Sequence, residues 1–328
     1  MANVFEKPDK FADTALELLQ RNLGVAGLFV YKYGKADYVG AKGDKIMIKR
    51  PPILRARDAG FRTRNALVVD SIIQSKIEVK LDKHPYSRVE LSPEEATLDE
   101  VDYVRDVQAP QVRAISEDFD ESVAAALGGA TFVNTVNFTE GTTDKWGDPR
   151  KVARYAKRLL DSSKVPASGR YWLVGAAVSE AIATLDQLLA VDTSGLPEAL
   201  RDGVVGKLSG FTIIDWPTLG DDESYFVHNT AVAPSAVAPV VPNGAKAGAS
   251  VAGNGLAVTQ VWDYQSDTMA DQSTVHAFTG AGVITDPKIV ASGANKGQIA
   301  MTAGDDPEPI MEFVRAVKVT FTPAPAGA

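Results

Sequence analysis

One long helical segment constrains the fold of this chain more than any other feature. Over residues 92–129 the pattern predicts helix almost without interruption. Two Ser/Thr-x-x-Glu capping boxes fall near its start, Ser92 with Glu95 and Thr97 with Glu100. Pro110 has no amide proton, so we expect the helix to break there and to restart with this proline in its first turn.

The segment from Pro110 to Gly129 carries a single apolar face. Its apolar residues recur at three- and four-residue steps and are Val112, Ile115, Phe119, Val123 and Leu127. Gly128 and Gly129 predict the end of the helix, because glycine adopts the left-handed C-terminal conformation without steric cost. At about 1.5 Å per residue the rod from Pro110 to Leu127 is roughly 27 Å long. We call it the spine helix and expect other elements to pack on it.

Charge and composition exclude several classes of function. The 328 residues predict roughly two domains, and the net charge of −8 confines any nucleic-acid contact to a local surface. The absence of cysteine excludes disulfide bonds, thiolate metal sites and thiol nucleophiles, and fits a reducing compartment. The charged N-terminus predicts no signal peptide, and no apolar run approaches the ~18 residues of a membrane span.

The first 82 residues predict two extended segments. A helical stripe over residues 11–19 is followed, after Asn22, by an arm broken by glycines. Residues 45–49 and 76–81 alternate between apolar and charged side chains and predict a two-stranded ribbon. Because an arm and a lone ribbon bury little of themselves, we expect both to find burial only on neighbouring molecules.

The segment between the two ribbon strands is long and basic. Its arginines are Arg50, Arg55, Arg57, Arg62 and Arg64. They predict docking against an acidic surface, since guanidinium groups pair with carboxylates in a two-point geometry. Two other interpretations stay open. One is a solvated surface loop, and the other is a nucleic-acid-binding arm, which is disfavoured because Phe61 is the one aromatic residue there.

Residues 130–214 predict an α/β unit. A β-like segment over 130–138 precedes a helix that Asp148 caps and Pro149 opens. One side of this helix is basic, which we interpret as a solvated face; its residues are Arg150, Lys151, Arg154, Lys157 and Arg158. A strand over 171–174, a second helix and a strand over 211–214 complete the unit.

Two short motifs suggest ligand binding, but their spacing argues against it. The glycines of the segment 203–210 resemble a phosphate-binding loop, yet the spacing is not that of a P-loop and the segment enters a strand rather than a helix. Asp221, Asp222 and Glu223 are consecutive, and three consecutive carboxylates rarely converge on one cation. We interpret them as a solvated turn.

The C-terminal third is predominantly β. We predict strands over 225–227, 256–264, 273–278 and 313–321, the middle two forming a hairpin. The Gly- and Ala-rich segment 243–255 predicts a mobile loop.

No pattern in the chain resembles an active site. His84, His228 and His276 lie far apart in sequence, and neither a Gly-x-Ser-x-Gly elbow nor a His-Glu-x-x-His motif is present. We therefore predict no catalytic residue, no cofactor and no metal ion. Contiguous acids on the spine helix predict an acidic face for an arginine-rich partner; they are Glu117, Asp118, Asp120 and Glu121.

The order of these pieces resembles the major capsid proteins of tailed phages. That family commonly opens the first strand of an extended loop with Gly-Asp-x-Val/Ile before a proline, which is similar to Gly43–Pro51. Leu160–Pro166 with Gly169–Val174, and later Gly206–Ile214 and His228–Ala231, resemble further family segments. The resemblance covers nearly the whole chain. It is to proteins with the Hong Kong 97 capsid fold, and among them this chain most resembles the coat proteins of podophages and many actinobacterial phages.

The resemblance implies an α+β fold in four parts. These would be an N-terminal arm at 1–41, an extended β-ribbon loop at 42–82, a peripheral domain with the spine helix at 83–133 and 310–325, and an axial domain at 134–309. A small β-hairpin insertion is expected at 243–285. The loop arginines would contact a neighbouring subunit.

The resemblance also implies assembly of the chain with itself. Copies would form the hexamers and pentamers of an icosahedral head, assembled in the cytoplasm of a host bacterium around double-stranded DNA held by weak, non-specific contact. A portal is an implied partner, a decoration protein is an optional one, and no membrane is involved.

Two departures from the family refine these expectations. Some relatives begin with a long scaffolding segment, whereas here the arm starts within the first residues, which predicts a separate scaffolding protein or none. Some relatives cross-link through a loop lysine. No lysine lies between Lys49 and Lys76, so we expect non-covalent arginine contacts to hold the shell.

Two alternatives differ in function. The same fold serves encapsulin-like compartments, which load cargo enzymes rather than DNA. A metal-dependent enzyme that uses Asp221, Asp222 and Glu223 is the more remote alternative.

Overall fold

The computed structural model describes most of the chain, and every structural statement below concerns the residues that it describes. These are residues 13–19, 24–32, 45–49, 76–92, 103–140, 146–183, 206–253, 256–290, 299–303 and 308–323. The basic segment between the ribbon strands, with Arg50, Arg55, Arg57, Arg62 and Arg64, lies outside them. So do Glu95, Thr97 and Glu100 of the predicted capping boxes.

The described chain mixes a few helices with many strands, which confirms the predicted α+β class. The helical elements are residues 13–19 (α1), a 3₁₀ turn at Val25–Leu28, a π-helical segment at Tyr103–Gln108, and the α-helices Ala109–Gly128 (α2), Pro149–Ser162 (α3) and Ala176–Ala183 (α4). As predicted, the side chain of Asp148 caps α3 by accepting a hydrogen bond of 2.9 Å from the amide of Arg150.

The strands form one large sheet and several smaller ones. In chain order they are β1 (Lys45–Lys49), β2 (Lys76–Lys80), β3 (Tyr86–Leu91), β4 (Thr135–Thr139), β5 (Arg170–Val174), β6 (Gly206–Leu208), β7 (Phe211–Asp215), β8 (Glu223–His228), β9 (Val232–Val237), β10 (Ala247–Gly253), β11 (Leu256–Gln265), β12 (Ala270–His276), β13 (Phe278–Val283), β14 (Asp286–Pro287), β15 (Met311–Glu312) and β16 (Ala316–Thr322). The sheets have the orders β1-β2, β10-β11-β12-β3, β13-β9, β14-β15 and β4-β16-β8-β5-β7-β6.

The six-stranded sheet separates two apolar cores. Neighbouring residues of a strand point to opposite faces. Trp172 of β5 therefore joins α3 and α4 on one face, while Leu173 joins the spine helix on the other. Both side chains are fully buried, and burial of one large apolar side chain contributes about 1.5–3 kcal/mol.

The last strand lies inside this sheet. β16 pairs in parallel with β4 and antiparallel with β8. The structure hydrogen-bonds Ala316–Thr322 to strands of the predicted axial part. The assignment of residues 310–325 to the part that contains the spine helix stays a prediction. Strand order depends on pairing between distant segments, which the local pattern of 313–321 does not contain.

The spine helix has the predicted apolar face. The five stripe residues from Val112 to Leu127 are all buried. As predicted, an α-helix starts with Pro110 in its first turn, but the chain before it is not broken, because Tyr103–Gln108 continues into α2 as a π-helix. The wider π turn leaves room for the proline ring, which would otherwise crowd the carbonyl four residues earlier.

The helix ends where its glycines predict, but by a different mechanism. Gly129 has φ −80° and ψ −6°, so it is not left-handed. Its amide donates to the carbonyl oxygen of Ala125 at 2.9 Å and thereby continues the helical bonding pattern.

The described parts of the N-terminal arm and ribbon pack on their own chain. Val25, Ala26 and Phe29 are buried in the core of the spine helix, and β1 pairs with β2 as predicted. Ile77 and Val79 of β2 are buried against Ala233 and Ile284. The expectation that these segments find burial only on neighbouring molecules is therefore wrong for residues 24–32 and for the base of the ribbon.

The predicted hairpin insertion at 243–285 is larger than expected. β11 and β12 form the predicted hairpin, and β10 and β3 extend it to four strands. β10 lies within residues 243–255, so the prediction of a mobile loop there is wrong. Small residues such as Ala247 and Gly253 bond through their backbones and give no side-chain signal for a strand.

Candidate functional site

The acidic residues of the spine helix fall into two groups. Asp120 is buried, and its carboxylate accepts hydrogen bonds from the backbone amides of Gly24 at 3.1 Å and Ala26 at 2.9 Å. Burial raises the pKa of Asp120, and the two backbone amides oppose that rise. Asp120 thus anchors the N-terminal arm of its own chain, which corrects its assignment to an open acidic face.

Glu117 and Glu121 are exposed on the same helix. Glu117 pairs with Arg113 at 2.8 Å, and Asp118, which is half-buried, lies 3.7 Å from the ammonium group of Lys83. Contact between these carboxylates and an arginine-rich partner stays a prediction, as does subunit contact by the loop arginines.

A directed chain of hydrogen bonds ties the start of the spine helix to the four-stranded sheet. Gln108 donates to Gln260 at 2.9 Å, and Gln260 donates to the hydroxyl of Tyr103 at 2.6 Å. Ser273 donates to Gln111 at 3.2 Å. Since the serine has a single proton, Tyr103 is the donor in its 2.7 Å bond to Ser273.

This network ends on the backbone of the sheet. The side-chain amide of Gln111 donates to the carbonyl oxygens of Ser87 on β3 and Ser273 on β12, at 3.1 and 3.0 Å. Burial raises the pKa of Tyr103 to about 12, with the bonds to Ser273 and Gln260 opposing the rise. The π-helical segment is therefore held by polar side chains rather than by apolar packing alone.

Arg170 explains one motif of the sequence. Its guanidinium is buried and donates to the carboxylate of Asp161 and the carbonyl of Val165, each at 2.7 Å, and to the carbonyl of Pro166 at 2.8 Å. These bonds close the turn between α3 and β5. The motif Leu160–Val174 thus contains both Arg170 and the three groups to which its guanidinium donates.

The structure brings together two histidines that the sequence separates. Nε2 of His84 lies 3.0 Å from Nδ1 of His276, because β3 and β12 are neighbours in one sheet. Burial and the adjacent His84 lower the pKa of His276. His228 is buried elsewhere, and its Nδ1 lies 2.7 Å from the hydroxyl of Thr230.

The acidic turn does not gather ligands for a metal ion. Asp221 and Asp222 are exposed, and Glu223 begins β8. Within the described residues no group of three His, Asp or Glu side chains is arranged to hold a metal. In the same part of the chain, no helix combines the length and apolarity required to cross a bilayer.

Solved structures from phages share this architecture. A structure from Mycobacterium phage Che8 is similar with a TM-score of 0.58 at 16% identity, over 90% of each chain. The capsid structure of cyanophage P-SCSP1u is similar with a TM-score of 0.60 at 11% identity, over 99% of this chain and 91% of that one. The asymmetric unit of the mature capsid of bacteriophage PhiM1 gives 0.52 at 13% identity, over 87% and 84%.

Sequence comparison adds no closer relative. No protein-family model matches the chain, and no curated protein matches it. The structural matches cover almost the whole chain on both sides, so they establish a shared fold and confirm the fold predicted from the ordered motifs.

Proposed function

We propose that this chain, which has the Hong Kong 97 capsid fold, is a major capsid protein of a tailed phage. Copies of it assemble into the hexamers and pentamers of an icosahedral head that encloses double-stranded DNA. Its role is structural rather than catalytic, and its place is the virion.

One observation carries this proposal: the similarity to the capsid of cyanophage P-SCSP1u extends over 99% of this chain and 91% of that one. A similarity of this extent supports a structural role for the whole compared region. The described site residues agree, because Asp120, Tyr103 and Arg170 all serve packing within the subunit.

Ring assembly requires two different surfaces on each subunit, one facing each neighbour. The basic loop with Arg55, Arg57, Arg62 and Arg64 supplies one of them, and exposed carboxylates such as Glu117 and Glu121 are candidates for the other. A portal and a separate scaffolding protein complete the assembly, which takes place in the host cytoplasm.

Expression of the chain in bacteria, alone and with the neighbouring phage genes, tests the proposal. We expect closed shells in negative-stain electron microscopy and a fast-sedimenting species in ultracentrifugation. Small oligomers alone under every condition would contradict it. The ratio of absorbance at 260 and 280 nm, with mass spectrometry of the shell contents, then separates a DNA-filled head from a compartment loaded with enzymes.

A further inference from the structure

Helix α3 and the turn between β6 and β7 flank an open cleft of about 320 Å³. It is lined by Arg150, Arg154 and Lys157 of the helix and by Leu208 and Ser209 of the turn. We call it the basic cleft. None of the described residues that line it is acidic.

The charge of the basic cleft follows from the two sides of α3. Pro149, Val152, Ala153, Ala156 and Leu160 are buried against the six-stranded sheet. The opposite side carries the cations, and positions 150, 154 and 157 follow each other at helical steps of four and three residues. They form a row about 10 Å long at ~1.5 Å per residue.

Two of the three cations that line the cleft have no carboxylate partner among the described residues. The carboxylate of Asp148 lies 3.5 Å from Nε of Arg150 and caps the helix. Among the described residues no carboxylate lies within 4.0 Å of the charged groups of Arg154 or Lys157. Neighbouring like charges repel each other, so an anion in the cleft would be stabilised by both.

The turn holds the other wall of the cleft in place. Ser209 has φ 52°, in the left-handed region, within the two-residue connection of β6 and β7. A Cβ atom built at Gly210 would lie 3.9 Å from Nζ of Lys157, which places the ammonium group over this turn. A hydroxyl residue and two cations therefore face one small space.

We propose that the basic cleft binds phosphate groups of the packaged double-stranded DNA and that this face of α3 lies on the inner side of the shell. The inference rests on the proposed capsid function. Guanidinium, ammonium and hydroxyl groups are the side chains that contact phosphate in protein–DNA complexes. Since each subunit carries a net charge of −8, DNA contact requires a local basic surface such as this one.

Carboxylates of a second copy are the competing occupant. Asp221 and Asp222, for example, are exposed. Phosphate is favoured because the cations of the cleft form a row, which matches the repeated charges of a DNA backbone, and no described residue adds a carboxylate to that row. Contacts between subunits, in contrast, also bury apolar surface. Among the described residues that line the cleft, the single apolar side chain is Leu208.

The test compares an Arg154→Gln, Lys157→Gln variant with a matched Lys246→Gln, Lys288→Gln control. The control removes the same charge from lysines that already pair with Asp271 and Glu312. Binding of each folded, unassembled subunit to a short DNA duplex is measured from about 50 to 200 mM salt. Each phosphate contact contributes about 0.9 to the slope of log K against log salt, so we expect the cleft variant's slope to be shallower by about 1.8 and the control's to be unchanged.

The assembly of the same variants completes the test. Normal shells from the cleft variant, with less DNA retained per shell, support the proposal. Equal salt slopes for the cleft variant and the wild type overturn it. A folded cleft variant that forms no shells also overturns it, because the cleft is then an interface between copies. Absence of shells from the wild type contradicts the capsid function itself and is thus distinguished from failure of the cleft.

Discussion

The carboxylate of Asp120 accepts a 2.9 Å hydrogen bond from the backbone amide of Ala26, 94 positions earlier in the chain. The second carboxylate oxygen binds the amide of Gly24 at 3.1 Å. One side chain of the spine helix thereby satisfies two amides of the N-terminal arm. A Cβ atom at Gly24 would lie 2.6 Å from the carboxylate, so the arm can approach this closely because the residue is glycine.

Asp120→Ala should destabilise the subunit by about 2–4 kcal/mol. The buried amide of Ala26 loses its acceptor, which costs about 1–3 kcal/mol, and the part-buried amide of Gly24 loses a bond worth about 0.5–1.5 kcal/mol. Urea denaturation of the unassembled subunit measures the change. Glu121→Ala, on the exposed side of the same helix, is the control and should stay within about 0.5 kcal/mol of the wild type. Equal effects of the two substitutions would contradict the anchoring role.

The contribution of Asp120 should also depend on pH. Burial raises its pKa above the usual 3.8, so the folded state binds the proton more tightly than the unfolded state. Its stabilising contribution is complete below pH 3.8 and is lost as the pH rises through the higher folded-state value. The difference in unfolding free energy between wild type and Asp120→Asn should therefore fall over that window and then level off. A difference that grows with pH would mean that the sign of the pKa shift is wrong.

Tyr103→Phe should cost about 1–3 kcal/mol, because Gln260 loses its acceptor and Ser273 loses its donor. The exposed Tyr264→Phe is the matched control and should be nearly neutral.

Ultraviolet titration of Tyr103 gives a second readout. The pKa of Tyr103 is raised from 10.0 to about 12, so its stabilising contribution is complete below pH 10 and is lost progressively between pH 10 and about pH 12. Ionisation of Tyr103 at pH 10, detected as the difference between wild type and variant, would contradict the network.

Gly280→Ala should displace the base of the ribbon. A Cβ atom at Gly280 would overlap the carbonyl oxygen of Lys80, a backbone atom that moves only with its strand. Overpacking of this kind costs about 1–3 kcal/mol. Gly244→Ala is the control, since nothing lies within 4 Å of its Cβ position. Thermal unfolding should separate the two variants, and equal melting temperatures would show that β2 can shift without cost.

The sequence predicts those features whose signals are local. The stripe of the spine helix, the Asp148 cap and the alternating ribbon strands each depend on residues within a few positions of one another. The burial of Asp120 also had a local signal. Steps of three and four residues place it on the same side as Ser116, Val123 and Leu127, and about 100° around the helix from Glu121.

Features that depend on distant pairing carry no such signal. The His84–His276 contact joins residues 192 positions apart and exists because β3 and β12 are neighbours. The position of β16 between β4 and β8, and the recruitment of β10 into a sheet, likewise follow from which strands meet. Alternation within one strand predicts its faces but not its partner.

Reversal of the loop charges should block assembly and leave the subunit folded. The variant replaces Arg55, Arg57, Arg62 and Arg64 by glutamate. If these arginines meet carboxylates of a neighbouring subunit, the replacement sets like charges against each other, which costs several kcal/mol per interface. We expect at least a tenfold loss of shells in electron microscopy, with unchanged circular dichroism and an unchanged sedimentation coefficient of the free subunit.

Lysine at the same four positions is the matched control for that variant. Lysine keeps the charge but cannot form the two-point contact of a guanidinium group with a carboxylate. An intermediate yield of shells would therefore separate the contribution of charge from that of geometry. Normal shells from the glutamate variant would show that the basic loop is solvated, as the simplest interpretation of its sequence allows, and that other surfaces hold the subunits together.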